Sequence, residues 1–180
     1  MNKKILLIIS GSIAAYKSLD LIRILKRNSF DVQCVLTKAG KEFVTPLSVS
    51  SMSENKIYDD VFSLKDESEM GHIRLSREAD LIVIAPASAD IIGKMANGLA
   101  DDLASTILLA TDKNVLVAPA MNIKMFSNNA VQRNVKTLQQ DGIIFVGPEE
   151  GELACGETGI GRMSEPETIL KAIKEYFNNA

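Results

Sequence analysis

The chain has 180 residues, of which 46% are hydrophobic and 24% are charged, and its formal net charge is −3. This size and composition predict one globular domain, residues 1–180, with a single substantial core. The chain is slightly negative and lacks a basic patch with interleaved aromatic residues, so nothing indicates nucleic-acid binding. No apolar run approaches the ~20 residues that are needed to cross a bilayer. Two cysteines and one histidine are too few for a structural zinc site or a disulfide framework. We therefore expect a cytoplasmic protein with reduced thiols and no metal.

Short apolar runs alternate with helical patterns along the chain. The apolar runs predict strands at residues 4–9, 32–36, 81–85, 115–118 and 143–146. Apolar residues at helical spacing predict helices at residues 13–25, 89–96, 103–110, 131–140 and 167–177. Apolar strands separated by helices are typical of a parallel sheet covered on both faces, so we predict a doubly wound α/β fold. Residues 47–71, rich in Ser, Glu, Asp and Met, fit neither pattern and are expected to form a flap or a loop at a subunit contact.

Small residues follow the first predicted strand, at the end where parallel sheets bind ligands. Residues 10–15 read SGSIAA, and a small-residue turn that opens a helix offers backbone N–H groups to a phosphate. The stretch lacks the second and third glycines of the dinucleotide fingerprint, and it lacks the Gly-Lys-Ser/Thr of a P-loop. An ordinary tight turn between strand and helix explains the same residues, and for this stretch alone we favour that explanation.

Two other predicted strands end in the same tripeptide, Ala-Pro-Ala. Residues 85–87 are followed by Ser88, and residues 118–120 are followed by Met121 and Asn122. Small side chains let a flat ring approach the backbone, while Ser88 either caps the next helix or hydrogen-bonds a ligand. Because the carboxyl ends of parallel strands meet at one edge of a sheet, the two tripeptides predict two walls of one pocket.

The histidine and the two cysteines differ in what their surroundings indicate. His72 is either a surface residue or an acid–base group. Cys34 lies within a predicted strand and is most simply a small core residue. Cys155 lies in LACGETGIGRM, residues 153–163, whose glycines are too dense for a stable helix or strand and indicate positive φ angles or close approaches. A cysteine on such a loop is either incidental or reactive.

Five stretches together resemble a known family. SGSIAAYK, GHIRLSREAD, APASADIIGKMANGLADDLASTILLA, APAMN and LACGETGIGRM have the order and spacing of the homo-oligomeric flavin-containing cysteine decarboxylases. The resemblance covers residues 3 to about 176. Its PAMN and ACG-x-x-G-x-G-R-M motifs are similar to those of the members that decarboxylate 4′-phospho-N-pantothenoylcysteine in coenzyme A biosynthesis.

The resemblance implies a Rossmann-like (flavodoxin-like) fold, FMN as the cofactor, and a homotrimer with each active site at a subunit interface. Family trimers often assemble further into a dodecamer. In many bacteria the domain is fused to a phosphopantothenate–cysteine ligase, which we expect here on a separate chain or in a part of the protein beyond this sequence. No nucleic acid or membrane partner is implied.

The resemblance also assigns site residues. FMN contacts are expected from Gly11, Ser12, Ile13, Thr37, Ala87, Ser88, Ala89 and Asp90. The implied catalytic and substrate-binding residues are His72, Asn122 and Cys155, with Met125 and Arg77 near the substrate. Arg77, Lys17 and Arg162 are each candidates for the substrate phosphate. Charge alone does not choose between them, and Lys17 is also explained as a solvated surface residue.

The implied reaction oxidises the substrate CH₂–SH group to a thioaldehyde, so that a C=S group stands β to the carboxylate. The electrons of the breaking bond flow into sulfur as CO₂ leaves, and the enethiol is then reduced. A flavin suits this chemistry because it accepts a hydride and later returns it. His72 would act as a base or orient the carboxylate, and Asn122 would bind the substrate amide or carboxylate. Cys155 would protonate the enethiol last.

Three related functions are alternatives. A decarboxylase of C-terminal peptidyl cysteine would keep His72 and the flavin loops, although the complete PAMN and ACG motifs favour the pantothenoyl substrate. A non-catalytic regulatory flavoprotein would lack part of the set formed by His72, Asn122 and Cys155. A flavin prenyltransferase would not need the cysteine loop.

Overall fold

A sheet of six parallel strands forms the centre of the protein. The computed structural model describes residues 2–59, 71–152 and 156–179. The strands are β1 (Lys4–Ile9), β2 (Asp31–Leu36), β3 (Ile57–Tyr58), β4 (Leu81–Ala87), β5 (Val115–Pro119) and β6 (Ile144–Phe145). Their order, β3-β2-β1-β4-β5-β6, is the Rossmann order, with its reversal between β1 and β4. This confirms the predicted doubly wound, Rossmann-like parallel sheet and adds β3 at its edge.

Helices cover both faces of this sheet. They are α1 (Tyr16–Arg27), α2 (Pro46–Ser53), α3 (Gly71–Glu78), α4 (Ala89–Ala96), α5 (Leu103–Ala110), α6 (Ile123–Phe126), α7 (Asn129–Gln140) and α8 (Pro166–Asn179). Side chains of β1 alternate between two core clusters: Ile5, Leu7 and Ile9 pack with α1, α2 and α8, whereas Leu6 and Ile8 pack with α3, α4, α5 and α7. Burial on both faces explains the continuous apolar strand sequences. A membrane-spanning helix is not found in the part of the chain that the structure describes.

The prediction of an irregular segment at residues 47–71 is wrong for residues 47–53 and 57–58, which form a helix and a strand. Helix α2 begins after Thr45, whose side chain accepts a hydrogen bond from the Ser48 N–H, and Pro46 occupies its first turn. This cap and proline start a helix that apolar spacing does not reveal. Strand β3 then pairs with β2, and α3 begins at Gly71. Residues 60–70 lie outside the described part of the chain.

Outside the main sheet, β7 (Glu149–Glu152) and β8 (Thr158–Arg162) form an antiparallel hairpin. The expectation that residues 153–163 are too rich in glycine to form a strand is therefore wrong for the second half of that stretch. Residues 153–155, and with them Cys155, lie outside the described residues.

Cys34 is fully buried in β2, as expected for a core residue. Burial raises the pKa of its thiol from 9.0 to about 12, although a side-chain hydrogen bond with Ser53 acts in the opposite direction. Between about pH 9 and pH 12 the thiol is therefore ionised in the unfolded chain but remains neutral in the folded protein.

We predict that Cys34 makes the protein less stable at high pH. Above pH 9 the unfolded state loses the thiol proton while the folded state keeps it, so the free energy of unfolding falls until about pH 12. The contribution of this one group has a slope of about 1.4 kcal/mol per pH unit at most. Urea unfolding of wild type and Cys34→Ala between pH 7 and 10.5 measures this contribution. The difference in free energy of unfolding between wild type and Cys34→Ala should shrink above pH 9. A difference in free energy of unfolding that stays constant with pH would contradict the raised pKa of Cys34.

Candidate active site

Two adjoining cavities open at the carboxyl ends of the central strands, where the strand order reverses. The larger, of about 750 Å³, extends from the turn after β1 to the turn after β5 and the β7–β8 hairpin. The smaller, of about 520 Å³, lies towards the end of β2. Gly11, Ser88, Ala89 and Met125 line both cavities, so the two form one crevice. Its size and its place at the topological switch point are those of a small-molecule site in an α/β protein.

A single hydroxyl group joins the two strands on either side of the crevice. The Ser10 Oγ donates a hydrogen bond to the Pro86 carbonyl oxygen at 2.7 Å and accepts one from the Ser88 N–H at 2.9 Å. The Ser18 hydroxyl similarly donates to the Ala85 carbonyl oxygen at 2.7 Å. These bonds satisfy buried carbonyl groups where the β4–β5 ladder is irregular. In the sequence these hydrogen bonds are indicated only by serines that lie next to apolar runs.

The two Ala-Pro-Ala tripeptides lie side by side. Ala87 is paired with Pro119, and the Ala120 N–H donates to the Ala87 carbonyl oxygen at 3.0 Å. Strand β4 therefore continues through its tripeptide instead of ending at residue 85. Ala87 itself is fully buried behind the crevice wall, whereas Ala89 and Ala120 line the larger cavity.

Two helical segments begin at the crevice. Ser12 caps the short 3-10 helix Ile13–Ala15, which leads into α1, and its side chain accepts a hydrogen bond from the Ala14 N–H. Ser88 caps α4 by accepting from the Ile91 N–H. Ser88 is thus a helix cap, one of its two expected roles, and it also faces the crevice. Thr37 and Asp90 line the smaller cavity.

Gly11 makes the turn after β1 possible. A Cβ atom at this position would lie 2.5 Å from the Ala39 Cβ, so a larger residue would push apart the turns that follow β1 and β2. The backbone of the SGSIAA turn therefore forms part of the crevice wall itself.

The β7–β8 hairpin closes one side of the larger cavity by packing on the turn after β5. The Met121 N–H donates to the Gly161 carbonyl oxygen at 3.0 Å. A Cβ atom at Gly159 would lie 2.8 Å from the Ile123 Cδ1. The glycines of this strand are thus explained by close approach to residues 121–123, one of the two alternatives that the sequence left open.

Asn122 lies at the meeting point of this hairpin and the larger cavity. Its Oδ1 accepts a hydrogen bond from the Lys124 N–H at 2.8 Å and so caps α6. Its Nδ2 donates to the Glu157 Oε2 at 3.0 Å. Met125, 49% exposed, lines the cavity one turn further along the chain.

Lys17 and Arg162 bring two positive charges to the larger cavity. Lys17 is buried, and its Nζ lies 2.8 Å from the Glu165 Oε1, so the expectation of a solvated surface lysine is wrong. The Arg162 Nη2 lies 3.5 Å from the Glu149 Oε2 and 3.8 Å from the Glu165 Oε1. Its buried Nε has no hydrogen-bond partner among the described residues.

Lys94, at the smaller cavity, was not anticipated from the sequence. Its Nζ lies 2.9 Å from Asp101, 3.2 Å from Asp90 and 3.4 Å from Asp102. Burial lowers the pKa of Lys94, but hydrogen bonds with Asp101 and Asp90 and the charge of Asp102 raise it above its ordinary value overall. The ammonium group thus holds α4 against Asp102, the residue that caps α5.

His72 and Arg77 are not brought to these cavities within one chain. Both lie on α3, where His72 is partly buried and Arg77 is exposed, and neither lines either cavity. Helix α3 packs mainly against α5, on the face of the sheet that also carries α4 and α7.

The strand order and the crevice define a Rossmann-like α/β protein with a small-molecule site at its topological switch point. Comparison with known proteins narrows this: the family model described as Flavoprotein matches residues 1–178, and the chain belongs to this family. It is 49% identical over 176 residues to the Coenzyme A biosynthesis bifunctional protein CoaBC of Vibrio vulnificus. That match covers 98% of this chain but 44% of the relative, so the chain spans less than half of the relative's length.

Two solved structures are similar over the whole chain. One is a cysteine-to-serine mutant of PPC decarboxylase complexed with pantothenoylaminoethenethiol, with 34% identity, a TM-score of 0.90 and coverage of 99% of this chain and 100% of that one. The other is the FMN binding protein AtHal3, with 35% identity, a TM-score of 0.87 and coverage of 100% and 99%. The resemblance to flavin-containing cysteine decarboxylases is thereby confirmed.

We predict that Ser10→Ala lowers the free energy of unfolding by about 1 to 2 kcal/mol, because the Ser88 N–H loses its partner and the Pro86 carbonyl oxygen keeps only the longer bond, at 3.3 Å, from the backbone N–H of residue 10. Equilibrium urea unfolding measures the change. Ser127→Ala is the matched control, since this exposed hydroxyl makes only a 3.4 Å contact with the Lys124 carbonyl oxygen, and it should change stability by less than about 0.5 kcal/mol. Equal effects of the two substitutions would contradict the structural role of Ser10.

Proposed function

We propose that this chain catalyses the FMN-dependent decarboxylation of 4′-phospho-N-pantothenoylcysteine in coenzyme A biosynthesis. The observation that carries the proposal is that one cavity joins the small-residue crevice at β1 and β4 to Asn122 and the β7–β8 hairpin. A flavin site and a site for a second, reacting molecule would thereby be contiguous. The similarity to PPC decarboxylase along the whole chain supports the same reaction.

The crevice fits FMN. Two capped helical segments, beginning at Ile13 and Ala89, direct their positive ends towards it, which suits a phosphate. The exposed backbone at Gly11 and the small side chains of Ala89 and Ala120 leave room for a flat ring system. The flavin supplies reversible hydride acceptance when it is bound. Gly11, Ser12, Ile13, Ser88 and Ala89 would hold it in the larger cavity, with Thr37 and Asp90 in the smaller one.

The substrate would bind in the part of the larger cavity beyond Ala120. Asn122 would hydrogen-bond it and Met125 would pack against it. Of the three basic candidates for the substrate phosphate, Lys17 and Arg162 line this cavity, whereas Arg77 does not line it in a single chain. We therefore favour Lys17 and Arg162. A phosphate there would compete with Glu165 for both positive groups.

The residues of the chain have three tasks in this reaction. Oxidation of the substrate CH₂–SH group places C=S β to the carboxylate, so that the electrons released with CO₂ are stabilised on sulfur. We propose that His72 acts as the base or orients the carboxylate, and that Asn122 holds the substrate in place. Cys155 would protonate the enethiol carbon when that bond is reduced. The substrate oxidation and the enethiol reduction cancel, so the reaction would need no external electron donor.

The assembly proposed for the protein is a homotrimer, with or without further association into a dodecamer. His72 and Arg77 lie away from the cavities of their own chain, so a second copy would have to supply them. Ile13 and Tyr16, which line the larger cavity, are 60% and 57% exposed, and a neighbouring copy that covers them would also exclude water. We further propose a cytoplasmic location and a phosphopantothenate–cysteine ligase as the enzyme that makes the substrate, on another chain or in a fused domain.

A comparison of two substrates tests this proposal. Purified protein with FMN should release CO₂ from 4′-phospho-N-pantothenoylcysteine, with the corresponding loss of mass in the product. A peptide with C-terminal cysteine should react at least about 100-fold more slowly, because the Lys17 and Arg162 side of the cavity would be left without a phosphate. The serine analogue of the pantothenoyl substrate, which lacks the thiol, should not react. Preference for the peptide would instead favour a peptidyl-cysteine decarboxylase, and release from neither would favour a regulatory flavoprotein.

A further inference from the structure

We infer that Glu157 is a resident carboxylate that hydrogen-bonds the amide nitrogen of Asn122 and competes there with the carboxylate of the substrate. Glu157 is then a positioning residue that sets the affinity of the site for carboxylate ligands. The identity of the ligand rests on the proposed function. The inference itself rests on how the Asn122 side chain is held.

The orientation of the Asn122 carboxamide is fixed from both ends. The Lys124 N–H is a donor and requires the amide oxygen, at 2.8 Å. The Glu157 carboxylate is an acceptor and requires the amide nitrogen, at 3.0 Å. Both partners require the same placement of the amide oxygen and nitrogen. The Asn122 Nδ2 therefore faces the hairpin and acts there as a hydrogen-bond donor.

A donor in this position recognises a carboxylate better than it recognises an amide. The Oδ1 already accepts one hydrogen bond in the cap, whereas the Nδ2 is directed at a carboxylate, so the arrangement favours an anionic partner for Asn122. Of the two roles that the sequence left open for Asn122, this arrangement favours binding of the substrate carboxylate. The group that it holds, the Glu157 Oε2, has the same charge and geometry as a substrate carboxylate oxygen.

The location of the pair makes competition possible. Asn122 lines the larger cavity, whereas Glu157 immediately precedes β8 and is exposed, 35 positions from Asn122 in sequence. An exposed glutamate can leave without exposing apolar surface. Two carboxylates at one amide nitrogen repel each other, so a substrate carboxylate that reaches Asn122 would displace Glu157 into water. After CO₂ is lost the product carries no carboxylate there, so Glu157 can return without competition.

Binding of two unreactive ligands to holoprotein tests the inference. One is the serine analogue 4′-phospho-N-pantothenoylserine, which carries the carboxylate, and the other is the product 4′-phosphopantetheine, which does not. Titration calorimetry on wild type and Glu157→Gln gives their dissociation constants. Glu157→Gln should bind the serine analogue about fivefold more tightly, because the uncharged amide competes less well, and should bind the product with unchanged affinity.

Two further variants control for altered folding of the hairpin. Glu150→Gln changes an exposed carboxylate on β7 that lines neither cavity, and it should leave both constants unchanged. Glu157→Ala should increase the affinity for the serine analogue at least as much as Glu157→Gln does. The ratio of the two dissociation constants is the decisive readout, because a general loosening of the hairpin would change the affinities for both ligands by a similar factor and leave their ratio unchanged.

The outcomes separate this inference from the proposed function. An unchanged ratio in Glu157→Gln, or weaker binding of the serine analogue, overturns the inference even if the wild type releases CO₂ from the cysteine substrate. A changed ratio in a protein that releases no CO₂ supports the inference and contradicts the proposed function. Failure of both ligands to bind wild type overturns both.

Discussion

The hydroxyl of Ser10 fixes the geometry on which the rest of the site depends. A Rossmann-like sheet leaves a crevice where its strand order reverses, but the shape of that crevice depends on how the two flanking strands end. Ser10 ties the end of β1 to the Pro86 carbonyl oxygen and the Ser88 N–H, so the turn into α1 and the turn into α4 are held at one spacing. Both helical segments then begin at the same opening. Buried hydrogen bonds of this kind specify a single arrangement because leaving their partners unpaired is costly.

The remaining walls follow from close backbone packing. The pairing of Ala87 with Pro119 brings the second Ala-Pro-Ala segment beside the first, and Asn122 follows directly from it. The hairpin docks on this turn through Gly161, which packs on the Met121 backbone, and through Gly159, which packs on the Ile123 side chain. One continuous cavity results, with small side chains at the end formed by β1 and β4 and hydrogen-bonding and charged groups at the other.

Much of the fold was predictable because the buried parallel strands have continuous apolar sequences. Helices α4 and α5 were predicted at their observed bounds, since their apolar spacing and caps agree. Helix α2 and strand β8 were missed: the first depends on a capping threonine and a proline, and the second on packing that compensates for its glycines. The contacts of Lys94 and the Asn122–Glu157 pair were also missed. They join residues that are neighbours only after folding, and residue spacing does not encode such contacts.

The most direct test of the account asks whether the crevice at β1 and β4 holds the flavin. Ala89 lines both cavities at the start of α4, and Ala89→Leu would fill the space assigned to the ring system while suiting a helix. Fluorescence titration of flavin-free protein with FMN should show an affinity at least about 10-fold weaker than wild type, equivalent to about 1.4 kcal/mol. The exposed Ala130→Leu on α7 should bind FMN normally. Wild-type affinity in a folded Ala89→Leu variant would contradict the placement of the flavin.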